Sequence, residues 1–89
     1  MITREMTITN KLGLHARAAS KFVAEAQKFA AEISVSNADK SVDGKRIMSM
    51  MMLAATQGTV ISVSADGADE SAALEALEAL LASKFGEDE

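Results

Sequence analysis

The chain has one histidine, His15, in the run Asn10-Lys11-Leu12-Gly13-Leu14-His15-Ala16-Arg17, where the spacing predicts the start of an amphipathic helix. A helix start is an anion site, because its first backbone N–H groups lack intrahelical partners and the macrodipole makes that end positive. A neutral imidazole there offers a ring-nitrogen lone pair beside a cradle for phosphate oxygens. Arg17, two residues on, can clamp the same oxygens. The positive end of the helix also disfavours a protonated ring, and only the unprotonated nitrogen can attack phosphorus. The chemistry that suits this arrangement is covalent: a histidine that takes a phosphoryl group and gives it up again.

Most of the parts of a self-sufficient enzyme are missing. There is no cysteine and no second histidine. No serine is visibly paired with His15, and the carboxylates show no metal-ligand spacing. Gly13 alone is not a nucleotide-binding loop, and there is no Walker A pattern. Neither a metal nor a cofactor is therefore expected, and the activating machinery would sit on other proteins. The chain is expected to be a stoichiometric carrier rather than an enzyme.

With 89 residues the chain is expected to be one domain, 1–89, with a single core. Its net charge of −4 conceals a segregation. Lys11, Arg17, Lys21 and Lys28 face only Glu25 between positions 10 and 28, whereas Asp66, Asp69, Glu70, Glu75, Glu78, Glu87, Asp88 and Glu89 outweigh Lys84 beyond position 65. A basic end around His15 attracts phosphate and acidic protein surfaces. The acidic balance, with no Tyr or Trp for base stacking, argues against nucleic acid. No apolar run approaches a membrane span, and the first residues carry no signal-peptide pattern, so a cytoplasmic protein is expected.

The elements that must position His15 follow from periodicity. Ile2 to Ile8 alternates as a strand, and Asn10 to Leu14 is a loop with Gly13 supplying backbone freedom. Ala16, Ala19, Phe22, Val23, Ala26 and Phe29 follow helical spacing. Ile33 and Val35 alternate with serines, Asn37-Ala38-Asp39-Lys40 is turn chemistry, and Ser41-Val42 returns as a hairpin strand. Ile47 to Leu53 predicts a short Met-rich helix with Met50 and Leu53 inward. Val60 to Ala65 predicts a fourth strand with Ile61, Val63 and Ala65 inward. Asp69 is expected to cap a last helix with the stripe Ala73, Leu74, Leu77, Leu80 and Leu81. Gly86 lies where a C-cap glycine belongs, and Glu87-Asp88-Glu89 is expected to fray. The order βαββαβα implies an α+β open-faced β-sandwich, a four-stranded antiparallel sheet with three helices on one face.

The stretch from Asn10 to Ala19 resembles the active-site signature of HPr, the histidine-containing phosphocarrier family of the bacterial phosphoenolpyruvate-dependent phosphotransferase system. The resemblance extends over essentially the whole chain, through Val42-Asp43-Gly44-Lys45-Arg46-Ile47-Met48, Met51-Met52-Leu53-Ala54 and Gly67-Ala68-Asp69-Glu70. It implies that enzyme I, charged by phosphoenolpyruvate, passes a phosphoryl group to Nδ1 of His15, and that His15 passes it to a histidine of an EIIA-type protein. Arg17 would contact the phosphoryl group, and the amides of Ala16 and Arg17 would hold its oxygens. The first and second helices would form the partner-docking face, with Ser20, Ala24, Gln27, Ile47, Met48, Met51 and Met52 as its residues. Exposed methionines suit a surface that adapts to several partners.

Two positions depart from the family pattern. Ala18 stands where many relatives have proline, a small change for a first helical turn because alanine is the best helix former. Arg46 stands where many relatives carry a serine that a regulatory kinase phosphorylates, which argues against that control; Ser41 and Ser49 are nearby but not at the matching position. The presence of His15 disfavours the related regulators that lack the active histidine. A monomer is expected. Sugar uptake and the nitrogen-linked regulatory branch, which uses a near-identical carrier, both remain open, and the competing class is a non-catalytic small-molecule or protein-binding regulatory module.

Overall fold

Alternating residues in four short segments give four strands, and three segments of helical period cover them. The computed structural model describes residues 1–87. In chain order it contains β1 (Ile2–Thr7), α1 (Ala16–Ala26), β2 (Glu32–Ser36), β3 (Ser41–Asp43), α2 (Ile47–Met52), β4 (Val60–Asp66) and α3 (Glu70–Ala82), followed by one 3-10 turn at Lys84–Gly86. The sheet order is β1-β4-β2-β3, and every pairing is antiparallel. The pairing of β1 with β4 runs from Ile2 opposite Ala65 to Thr7 opposite Val60. This is the expected α+β architecture, with strand bounds within a residue or two of those read from the alternation.

Because side chains alternate across a strand, one face of the sheet carries Met6, Ile33, Val35, Ile61, Val63 and Ala65, all buried. Thr3, Ser34, Ser62 and Ser64 take the opposite parity, and the Thr3 and Ser64 hydroxyls meet at 2.8 Å. The helices fill the apolar face with Phe22, Val23 and Ala26 from α1, Met50 from α2, and Leu74, Leu77 and Leu81 from α3. Met50 and Leu53 are inward as expected, and Leu80 only packs at the margin of the core. In α1 the stripe is shifted: Ala16 is exposed and Ala18 is buried in its place. Ala16 is the first helical residue and precedes the part of the helix that lies on the sheet.

Two expectations about the last helix are corrected. Asp69 sits at the N-cap position but makes no side-chain bond to its own helix. Its carboxylate instead accepts from the Ala30 and Ala31 N–H groups at 2.8 and 2.9 Å, tying the start of α3 to the entry of β2. Gly86 does not cap α3, which ends at Ala82 with Ser83 as its C-cap; the chain then turns through Lys84, Phe85 and Gly86 with φ of 58°, 57° and 76°. Phe85 is fully buried, so the chain beyond α3 is anchored rather than frayed as far as Glu87. Asp88 and Glu89, which share that expectation, lie outside the described residues.

The amide bond from Ala30, opposed by burial and joined by the bond from Ala31, holds the Asp69 carboxyl below its ordinary value of 3.8. A carboxyl lowered in this way stabilises the fold above its unfolded pKa, and that contribution is lost as pH falls through the lowered folded value. Asp69→Ala should therefore melt below the wild type at neutral pH, with the gap closing in the acid range below 3.8. Circular-dichroism melts across that range measure it, and a gap of constant size would contradict it.

Candidate functional site

The site is built from the loop between β1 and α1, and backbone bonds fix that loop at both ends. Gly58 N–H donates to Ile8 O at 2.7 Å, and Leu14 N–H donates to Ala55 O at 2.9 Å. Leu14 is buried, which pins the residue just before His15 into the core. Gly13 has φ +70°, and a Cβ at that position would lie 2.6 Å from Ala55 O. Only glycine meets both conditions, so the approach of the loop to residues 55–56 depends on it. Asn10 is fully buried, and its Nδ2 donates to Gly13 O at 2.7 Å and to Glu87 Oε1 at 3.1 Å.

This loop delivers His15 to the N-cap of α1 in an extended conformation, φ −77° and ψ 179°. Its Nδ1 accepts from the Arg17 N–H at 3.3 Å, so the imidazole plays the part usually taken by a Ser, Thr or Asp oxygen. The other ring nitrogen, Nε2, lies 2.6 Å from Glu87 Oε2. The His15 side chain is 29% exposed, enough for one edge of the ring to meet a partner. Ala16 and Arg17 are both exposed on the first turn, beside the ring nitrogen that carries no carboxylate.

Glu87 was not among the residues the sequence singled out, since an acidic terminal run ordinarily reads as a solvated tail. A signal was present: Phe85 is a large apolar residue just past the helix, and burying it brings the chain back over α1. Lys21 fixes that return by donating to Phe85 O at 2.6 Å. Burial alone would raise the Glu87 carboxyl, but the hydrogen bonds from His15 and Asn10, with the charges of His15 and Lys21, outweigh it and hold it below its ordinary value. Among the described residues no group of three His, Cys, Asp or Glu side chains could hold a metal ion.

The residues expected to dock a partner divide into two sets. Ser20, Ala24 and Gln27 on α1 and Ile47 and Met48 on α2 line one open groove of about 620 Å³, with Lys45 and Arg46 on its rim. Gln27 spans it by donating to Lys45 O at 3.2 Å. Met48 is 73% exposed there. Met51 and Met52 are also exposed but stand outside the groove lining. Ser20 is five positions beyond His15, about 7.5 Å along the helix at 1.5 Å per residue. Arg46 is the N-cap of α2 and pairs with Asp43 at 3.3 Å across the exposed turn.

Comparison with known proteins is decisive at this point. The family described as "PTS HPr component phosphorylation site" matches residues 2–83. The chain belongs to the HPr family. It is 51% identical to the phosphocarrier protein HPr of Neisseria meningitidis over 89 residues, covering all of both chains. It is likewise 51% identical to the HPr of Pseudomonas putida over 90 residues, again covering both completely. In structure, HPr of Thermoanaerobacter tengcongensis superposes with a TM-score of 0.95 at 46% identity and full coverage of both chains. The chain is thus an HPr-type phosphocarrier of the phosphotransferase system, and no helix among the described residues is long and apolar enough to cross a membrane.

The loop geometry makes Gly13 a point of failure for this HPr site. Gly13→Ala combines positive φ with a clash against backbone, so it should destabilise the protein by more than about 1 kcal/mol. Urea unfolding measures this, and an unchanged midpoint would show that the loop can move aside.

Proposed function

We propose that His15 Nδ1 accepts a phosphoryl group from phosphorylated enzyme I, itself charged by phosphoenolpyruvate, and delivers it to a histidine of an EIIA-type protein. The observation that carries this reading is the orientation of the ring: Nδ1 faces the start of α1 while Nε2 is engaged by Glu87. In the accepting step the Nδ1 lone pair forms the new N–P bond as the donor's P–N bond breaks, and that electron pair stays on the donor ring. The Arg17 N–H, which bonds Nδ1 in the resting protein, loses its acceptor when Nδ1 bonds phosphorus and is placed to meet a phosphoryl oxygen instead. The Ala16 amide and the Arg17 guanidinium add donors at the same end of the helix. Transfer between two histidines conserves most of the bond energy, so each step can run in either direction.

The groove between α1 and α2 is the docking face in this reading, with Met48 as its exposed apolar contact and Met51 and Met52 extending it outside the groove. The protein acts as a cytoplasmic monomer, in sugar uptake or in nitrogen-linked regulation according to which EIIA-type protein accepts from it. Arg46 cannot take the serine phosphorylation that relatives receive at the matching position.

Incubation with enzyme I and phosphoenolpyruvate, read by intact-protein mass spectrometry, tests this reading. One acid-labile phosphoryl group should appear on the wild type and be absent from His15→Ala. A wild type that gains nothing would favour a non-catalytic binding module. Arg17→Ala should still be phosphorylated, but more slowly by about tenfold or more, since a donor to the developing charge is removed. Met48→Asp should slow transfer while leaving the melting temperature unchanged, because the side chain is 73% exposed. Equal rates would exclude the groove as the docking face.

A further inference from the structure

We propose that Met48, Met51 and Met52 on α2 form a modification site, at which a hydroperoxide oxidises the thioethers to sulfoxides and thereby weakens docking of the phosphotransfer partners. This rests on the docking face proposed above. The chain has no cysteine, tryptophan or tyrosine, so methionine is the side chain that a mild two-electron oxidant meets first. Four of the six methionines lie in α2, whose sequence is Ile-Met-Ser-Met-Met-Met.

The fold sorts these sulfurs into two classes. Met48, Met51 and Met52 stand at i, i+3 and i+4, one face of a helix, and are 73%, 39% and 60% exposed. Met50, between them in sequence, is 0% exposed, and Met6 in β1 is 5% exposed. Met1 is open as well, but its amine pairs with Asp66 and Glu70 and it takes no part in the groove. Oxidation of a buried methionine places a polar group in the core and loosens the fold, whereas oxidation of the exposed three leaves the core as it was. What changes is the contact surface. A thioether is apolar and polarisable and adapts to different partners, whereas a sulfoxide is polar and chiral. The long polar side chains that line the groove beside Met48 are already engaged: Gln27 with Lys45 O, Lys45 Nζ with Phe29 O at 2.7 Å, and Arg46 with Asp43. A sulfoxide oxygen at Met48 therefore draws its hydrogen bonds mainly from water, and a partner seated on it must strip that water away.

The step balances with the hydroperoxide as oxidant. A lone pair of the thioether sulfur takes the outer peroxide oxygen as the O–O bond breaks. The proton on that oxygen passes to the departing oxygen, and water or an alcohol leaves. Sulfur loses two electrons and the peroxide gains them. Return requires a dithiol, which becomes a disulfide while the sulfoxide oxygen departs as water, the chemistry of the methionine sulfoxide reductases, each specific for one epimer. His15 takes no part in either direction, so the proposed acceptor is untouched while the surface beside it is altered.

Dilute hydrogen peroxide followed by digestion and tandem mass spectrometry maps the order of oxidation. Sulfoxide should form at Met48, Met51 and Met52, and at Met1, well before Met50 and Met6, with the fold retained in circular-dichroism melts. Equal rates at Met50 and Met48, or a fold lost in step with Met48 oxidation, would overturn the proposal. After removal of peroxide, the oxidised protein should be phosphorylated by enzyme I and phosphoenolpyruvate about tenfold more slowly at limiting concentration, through KM rather than kcat, because a polar group must be buried in place of an apolar one. Methionine sulfoxide reductases with dithiothreitol should restore the rate. A triple variant, Met48→Leu with Met51→Leu and Met52→Leu, keeps much of the shape without the sulfur. Whatever its own rate, peroxide should not change that rate, although Met1 is oxidised. A peroxide-sensitive triple variant, or a wild type oxidised at all three positions yet running at full rate, would also overturn the proposal. Met48→Asp at full rate would instead overturn the docking face, and an untreated wild type that gains no phosphoryl group would overturn the phosphocarrier reading.

Discussion

The 3.3 Å contact between His15 Nδ1 and the Arg17 N–H is the constraint around which the rest is arranged. It makes the proposed phosphoryl acceptor and the helix cap one and the same atom. An ordinary capping side chain satisfies an orphan amide and stays there. A capping imidazole satisfies it with a ring-nitrogen lone pair, the same pair that the proposed transfer uses. Leu14 in the core, Gly13 at positive φ and the buried Asn10 all serve to bring the ring to this position.

The helices divide their labour along their length. The first turn of α1 offers amides and the exposed Arg17, whereas its later turns offer Ser20, Ala24 and Gln27 to the groove shared with α2. The second helix has six residues, and only Met50 is buried within it. A helix so short cannot hide Ile47, Met48, Met51 and Met52, and of these Ile47 and Met48 line the groove. The proposed acceptor and the groove are thus carried by α1 and its neighbour α2.

Much of this was legible in the chain alone. Period-two and period-3.6 patterns placed most of the elements, because the residues that make them are also the residues that fill the core, and the turn chemistry of residues 37–40 placed β3. The inward set Ile61, Val63 and Ala65 and the buried Met50 follow directly from that identity. His15 stood out because it is the only histidine and stands at a helix start. What escaped was non-local. Asp69 has the right type and place for a cap, yet it bonds two amides some 38 positions away, and no local rule ranks that bond above the cap. Glu87 belongs to a run of acids that composition assigns to solvent. Its role depends on where Phe85 is buried, and that is settled only when α1 and α3 are packed together.

Long sequence separation also has a consequence for how the molecule is made. Ile2 pairs with Ala65, so β1, at the edge of the sheet, has no strand neighbour until β4 is in place. The ring of His15 waits longer still, since its carboxylate partner lies 72 positions downstream. Pairings this distant in sequence close late, after the entropy of a long loop has been overcome. Closure of the β1–β4 pairing and of the His15–Glu87 contact therefore belongs to the late part of folding, after the local hairpin of β2 and β3 has formed.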